Sequence, residues 1–156
     1  MMDTTVKFHA SAEDSLFRYA VLFARYEEKW LFCKHKKRDT LECPGGHREL
    51  GENIYATAAR ELWEETGAEV YKLTPAGIYS ATGNDGPIRD EAETYGMLYL
   101  AEITELGELP TESEMEKIVL LDKLPREIKW TYPAIQPLLL RYVAEQFDIP
   151  VEWEED

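Results

Sequence analysis

The segment from Gly46 to Gly67 constrains this chain more than any other, because it joins a glycine-bearing loop to a helical pattern crowded with acidic side chains. Glu61 and Glu64 stand three apart and Glu61 and Glu65 four apart, so on a helix the three carboxylates share one face. Like charges that close repel one another, and the hard oxygens of carboxylates suit Mg²⁺, Mn²⁺ or Ca²⁺ as the neutralising partner. The plain alternative is a solvated acidic face with Arg60 and Glu64 as an ion pair contributing only about 0.2–0.5 kcal/mol. Gly46, Glu52 and Gly67 in register with the acidic cluster favour the metal site. Asn53 predicts the N-cap of a helix running to about Thr66, with Gly67 as its stop. On that helix Ile54, Ala58 and Leu62 form an apolar stripe apart from the glutamates, so packing and chemistry occupy different faces.

The spacing G-x5-E-x7-R-E-U-x-E-E-x-G-U, with U a bulky aliphatic residue, is met at Gly46, Glu52, Arg60, Glu61, Leu62, Glu64, Glu65 and Gly67, and it resembles the Nudix box. Ala68 departs from it, being smaller than usual at the last position, which bears only on packing after the helix. The resemblance implies an α/β fold, the Nudix-type α/β/α sandwich with a mixed β-sheet and a catalytic loop–helix–loop, as a single Nudix hydrolase domain over residues 1–156. It implies a pyrophosphohydrolase using Mg²⁺ or Mn²⁺ held by Glu61, Glu64 and Glu65, one of which doubles as base for the attacking water. It also implies that the Gly46 carbonyl is a further metal ligand and that Glu52 and Arg60 orient the helix carboxylates. Many relatives add a carboxylate from the loop before a late strand; Glu114 is the first candidate here and Glu116 the second, ahead of Glu91 and Glu93.

Length and charge narrow the partners. At 156 residues the chain suits one domain with a sizeable core. A net charge of −14 repels polyanions and argues against non-specific binding to DNA or RNA. No apolar run of about 18 residues offers a membrane span, and the first residues lack a secretion signal, so the expected compartment is the cytoplasm. The basic cluster Lys34–Arg38 is either a phosphate contact or a solvated hairpin end, and Cys33 and Cys43 read as buried reduced thiols. His9, His35 and His47 are too scattered for zinc.

Residues 16–26 and 29–34 predict a hairpin about Glu27-Glu28, and residues 41–43 a short strand before Pro44-Gly45-Gly46. Residues 69–82 read as one or two strands broken near Pro75, 94–103 as a long strand, and 83–92 between them as a polar loop facing substrate or solvent. Residues 117–122 read as a further strand. The last helix begins at Pro137, with Leu138, Leu139, Tyr142 and Val143 inward.

The expected substrate is a small-molecule nucleotide. Trp130 and Tyr132 are candidates to stack on its base, and Tyr79 and Asn84 to contact it, although aromatic core residues are the commoner reading. Local signatures of the NADH, coenzyme A, diadenosine-polyphosphate and ADP-ribose subfamilies are lacking. The short chain looks most like the MutT-like branch that splits nucleoside triphosphates, including oxidised purines such as 8-oxo-dGTP, into monophosphate and pyrophosphate. The alternatives are a nucleotide sugar, ADP-ribose or capped RNA end as substrate, or a non-catalytic ligand-sensing module. The sequence leaves a homodimer open.

Overall fold

A computed structural model describes residues 4–85 and 88–155, with the side chains at 84, 85 and 88–92 outside the description. Its strands are β1 (Thr5–His9), β2 (Phe17–Tyr26), β3 (Lys29–His35), β4 (Leu41–Glu42), β5 (Gly45–His47), β6 (Ala68–Asp85), β7 (Ile88–Leu106) and β8 (Met115–Leu121). Two α-helices accompany them, α1 (Ile54–Thr66) and α2 (Gln136–Gln146). The sheet runs in the order β1-β6-β7-β2-β3-β4, with β5 on β2 and β8 on β3. Only the β2–β7 pairing is parallel among those described, so the sheet is mixed.

Alternation along β2 and β3 sorts the core into two layers. Ala20, Leu22, Ala24, Leu31 and Cys33 face a cluster that includes Ile54, Ala58 and Leu62 of α1. Val21, Phe23, Trp30 and Phe32 face the other cluster, with Leu139, Leu140, Val143 and Ala144 of α2. A helix therefore covers each face, as the expected α/β/α sandwich requires. Leu62 is fully buried, and burial of such a side chain contributes roughly 1.5–3 kcal/mol. Cys33 and Cys43 are buried free thiols, but in opposite layers of the core.

Helix α1 starts and ends where its caps dictate. The Asn53 side chain accepts the Ala56 N–H at 2.8 Å, and Gly67 closes the helix at φ 77°, where a side chain is disfavoured.

Several expectations change. β1 is an edge strand that the sequence reading omitted. Residues 69–82 form part of one strand, since β6 passes Pro75 with a register shift between Pro75 and Gly77 rather than a break. The expected loop at 83–92 is largely paired backbone, with Gly83 opposite Asp90 and Asp85 opposite Ile88. Leu138 is exposed, because the inward stripe of α2 is Leu139, Leu140, Val143 and Ala144.

The pairing of β2 creates the feature that matters for function. Its first half pairs with β5, Ala20 opposite Gly46 and Val21 opposite Gly45, while its last residues, Ala24 to Tyr26, pair with β3. The β2 residues that face β5, Tyr19 to Val21, border a cavity together with Gly45 and Gly46.

Candidate active site

Arg60 organises the acidic face of α1. Its Nε donates to Glu52 Oε2 at 2.6 Å and its Nη2 to Glu52 Oε1 at 3.0 Å, a two-point clamp of guanidinium on carboxylate. Glu52 is itself held by the Thr57 hydroxyl at 2.9 Å and the Glu49 N–H at 3.0 Å. With those bonds, Arg60 foremost, the Glu52 carboxyl falls to about 2 and stays ionised. Arg60 Nη1 then reaches Glu61 at 2.7 Å and Glu64 at 3.3 Å, while Nη2 ties back to the His47 carbonyl at 3.0 Å. One guanidinium thus fastens the loop to the helix and sets two of the three clustered carboxylates.

The other carboxylate faces inward. Glu65 is 9% exposed, and its Oε1 accepts the Gly45 N–H at 2.8 Å. Burial raises its pKa well above the usual carboxylate range against that hydrogen bond, and the charges of Glu61, Glu42 and Glu114 raise it further. Glu61 is pushed up to about 7, first by burial, partly countered by Arg60, then by the charges of Glu64 and Glu114. A Cβ at position 46 would displace the Glu61 carboxylate from where it lies, so glycine lets β5 approach it.

Among the described residues, no three acidic, histidine or cysteine side chains converge closely enough to hold a metal as they stand. The donor set nevertheless fits a divalent cation. Glu61 is raised by the charges of Glu64 and Glu114 with Arg60 as its one close cation among the described partners, Glu65 is raised by those of Glu61, Glu42 and Glu114 with none, and every donor is a hard oxygen.

The late loop lies close by. Glu114 is exposed and its charge is felt at both Glu61 and Glu65, and it pairs with His35 at 3.6 Å. Glu116 turns instead to Lys34 at 3.1 Å. Glu93 accepts the Ser80 hydroxyl at 2.7 Å, and the Glu91 side chain is outside the described residues. The basic cluster is therefore partly spent on acidic neighbours, with Arg38 paired to Glu42 at 3.1 Å.

Beside this acidic face, the cleft along β2 forms a cavity of about 280 Å³. Tyr19, Tyr79 and Tyr132 line it together with Gly45 and Gly46. Burial raises the Tyr79 phenol and pushes Tyr132 up to about 12, so both remain neutral hydroxyls. Trp130 does not line this cavity; it packs edge-on against Phe32 at 5.3 Å. The Asn84 side chain is outside the described residues. Arg38, of the basic cluster, lines the cavity, as do Tyr19, Glu42 and Gln136, which were not among the expected contacts. Glu42 carried the one available signal, an acidic residue inside a short apolar strand.

Helices on both faces of a mixed sheet, and an acidic helix face set beside a cavity that Gly45 and Gly46 border, define the architecture of a Nudix domain. The NUDIX domain matches over residues 16–140, and the chain belongs to that family. YtkD of Bacillus subtilis strain 168, provisionally named an 8-oxo-dGTP diphosphatase, is 32% identical over 111 residues, covering 71% of this chain and 66% of that protein, just under two-thirds of its length. The crystal structure of a point mutant of the Bacillus subtilis pyrophosphohydrolase BsRppH is 27% identical, with a TM-score of 0.75 over 94% of this chain and 93% of that one. A NUDIX hydrolase from Nitrosomonas europaea, 18% identical, shares the fold with a TM-score of 0.59 over 86% of this chain and 90% of its own. No helix among the described residues is long and apolar enough to cross a membrane.

Proposed function

We propose that the chain hydrolyses nucleoside triphosphates, oxidised purine nucleotides such as 8-oxo-dGTP among them, to monophosphate and pyrophosphate with Mg²⁺ or Mn²⁺. One observation carries this reading: Gly45 and Gly46 line the cavity and also touch Glu65 and Glu61. A base in the cavity therefore has its phosphates directed along the loop toward the acidic face of α1. The names of YtkD and BsRppH support a phosphoanhydride as the bond broken.

Glu61, Glu64, Glu65 and Glu114 would hold the cation, with the Gly46 carbonyl beside them. When bound, it neutralises phosphate oxygens and makes hydroxide available near neutral pH. The residues of the chain do the rest. One of these carboxylates would also serve as base for the attacking water. Glu52 keeps its charge and holds Arg60, and Arg60 aims Glu61 and Glu64. The Gly45 N–H orients Glu65.

The test is a panel of nucleoside triphosphates, nucleotide sugars, ADP-ribose and capped RNA with Mg²⁺ or Mn²⁺, the products resolved by chromatography. Monophosphate and pyrophosphate in equal amounts from a triphosphate is the expected result. Turnover confined to the sugar conjugates or RNA ends would replace the substrate assignment, and turnover undiminished by excess chelator would overturn the metal dependence.

A further inference from the structure

Two buried polar side chains from distant parts of the chain meet in the cavity with atoms to spare. Gln136, on the first turn of α2, is 6% exposed, and its Oε1 accepts the Cys43 N–H at 2.8 Å. That bond settles which end of the amide is which, so the NH₂ group is the end left over. It has no acceptor among the described residues. Glu42, 7% exposed, receives Arg38 Nη1 and the Thr131 hydroxyl, both at 3.1 Å, on its Oε1. Its Oε2 has no donor among the described residues. The one fully sealed side-chain polar atom without a partner there is Trp30 Nε1. Glu42 Oε2 and Gln136 Nε2 are therefore open to the cavity that both residues line. Water can serve both atoms while the cavity is empty, but a polar atom buried without a partner is costly, and one carrying charge is more so. A ligand that displaces that water therefore has to face them with complementary groups.

We propose that Glu42 and Gln136 read the base of a guanine nucleotide in this cavity, which rests on the reading that the cavity takes the nucleoside. Oε2 offers two lone pairs and a charge, which call for two donors side by side; the Gln136 amide calls for an acceptor next to them. The Watson–Crick edge of guanine presents O6, N1–H and the 2-amino group in that sequence. Adenine and cytosine each present a single amino group there, and uracil a single N–H between two carbonyls, one of which would face the carboxylate. Tyr19, Tyr79 and Tyr132 supply aromatic walls for the ring. Oxidation at C8 leaves that edge untouched, so this pair selects guanine whether or not it is oxidised.

The test is equilibrium binding of GMP, IMP and AMP to the metal-free protein by calorimetry, since IMP differs from GMP only by the missing 2-amino group. Wild type should bind GMP roughly tenfold more tightly than IMP, and AMP more weakly still, because a charge-assisted hydrogen bond is lost. Glu42→Gln should bring GMP and IMP to within about threefold of each other. Gln136→Met should weaken both together and leave their ratio intact, since both carry O6. GMP no tighter than IMP or AMP on wild type overturns the proposal, as does an unchanged ratio in Glu42→Gln. If melting shows that a variant is unfolded, the wild-type series decides alone. The two readings fail separately: a guanine preference without turnover of any triphosphate sinks only the hydrolase reading, and turnover without base preference sinks only this one.

Discussion

Glu61→Gln should stabilise the metal-free protein at pH 8 and do little at pH 4. Burial and the neighbouring charges hold Glu61 near 7 in the fold, against an ordinary value of 4.5. Below 4.5 the side chain is protonated in both folded and unfolded chains, and no stability is lost. As pH rises from 4.5 to 7, the unfolded chain releases this proton while the folded one retains it, so stability falls across that window. The loss levels off above 7 at about 3 kcal/mol, taking about 1.36 kcal/mol per pKa unit. Glutamine has no proton to lose and keeps an oxygen for Arg60. At pH 8 in chelator, the variant should therefore melt roughly 6–12 °C above wild type, a difference that shrinks toward zero by pH 4. Circular dichroism melts at pH 4, 6 and 8 measure this directly. A variant no more stable than wild type at pH 8 would show that Arg60 already compensates the Glu61 charge, and the argument that this site calls for a further cation would fail.

Arg60→Ala should lower metal affinity or turnover by about 10–100-fold without removing a ligand, because Glu61 and Glu64 lose the group that aims them; a metal titration compares the two proteins, and identical curves and rates would dismiss that role. Glu114→Gln should lower kcat with little change in KM, whereas Glu116→Gln, whose side chain pairs with Lys34, should leave kcat within about twofold. A larger kcat loss in Glu116→Gln than in Glu114→Gln would move the late-loop role two residues on.

What the sequence revealed and what it hid divide along physical lines. Helix α1 was legible because its signals are local: a capping Asn53, a stopping Gly67, and two stripes of side chains at helical spacing. The clamp of Glu52 on Arg60 followed from the box resemblance, since both ends lie within that segment. β1 went unread because its edge position leaves most of it exposed and blurs the alternation. The hairpin about Glu27 and Glu28 was legible from the two flanking apolar runs, whereas the positive φ at both turn residues was not. The pairing that extends β6 and β7 past Gly83 is held by partner backbone, and polar residues conceal it. Glu42 and Gln136 were invisible as a pair because only the sheet and α2 bring them together, with the Gln136 bond to Cys43 spanning 93 residues.

The central claim is that the glutamates of α1 bind a divalent cation as a set. Titration of Mn²⁺ into wild type, Glu64→Gln and Glu65→Gln, followed by loss of the free-ion paramagnetic resonance signal, tests it most directly. Each substitution removes one charge while keeping side-chain size, and both variants should bind Mn²⁺ at least ~10-fold more weakly than wild type while melting as folded proteins. Equal Mn²⁺ affinity in all three would contradict the account and leave the acidic face of α1 as a solvated surface.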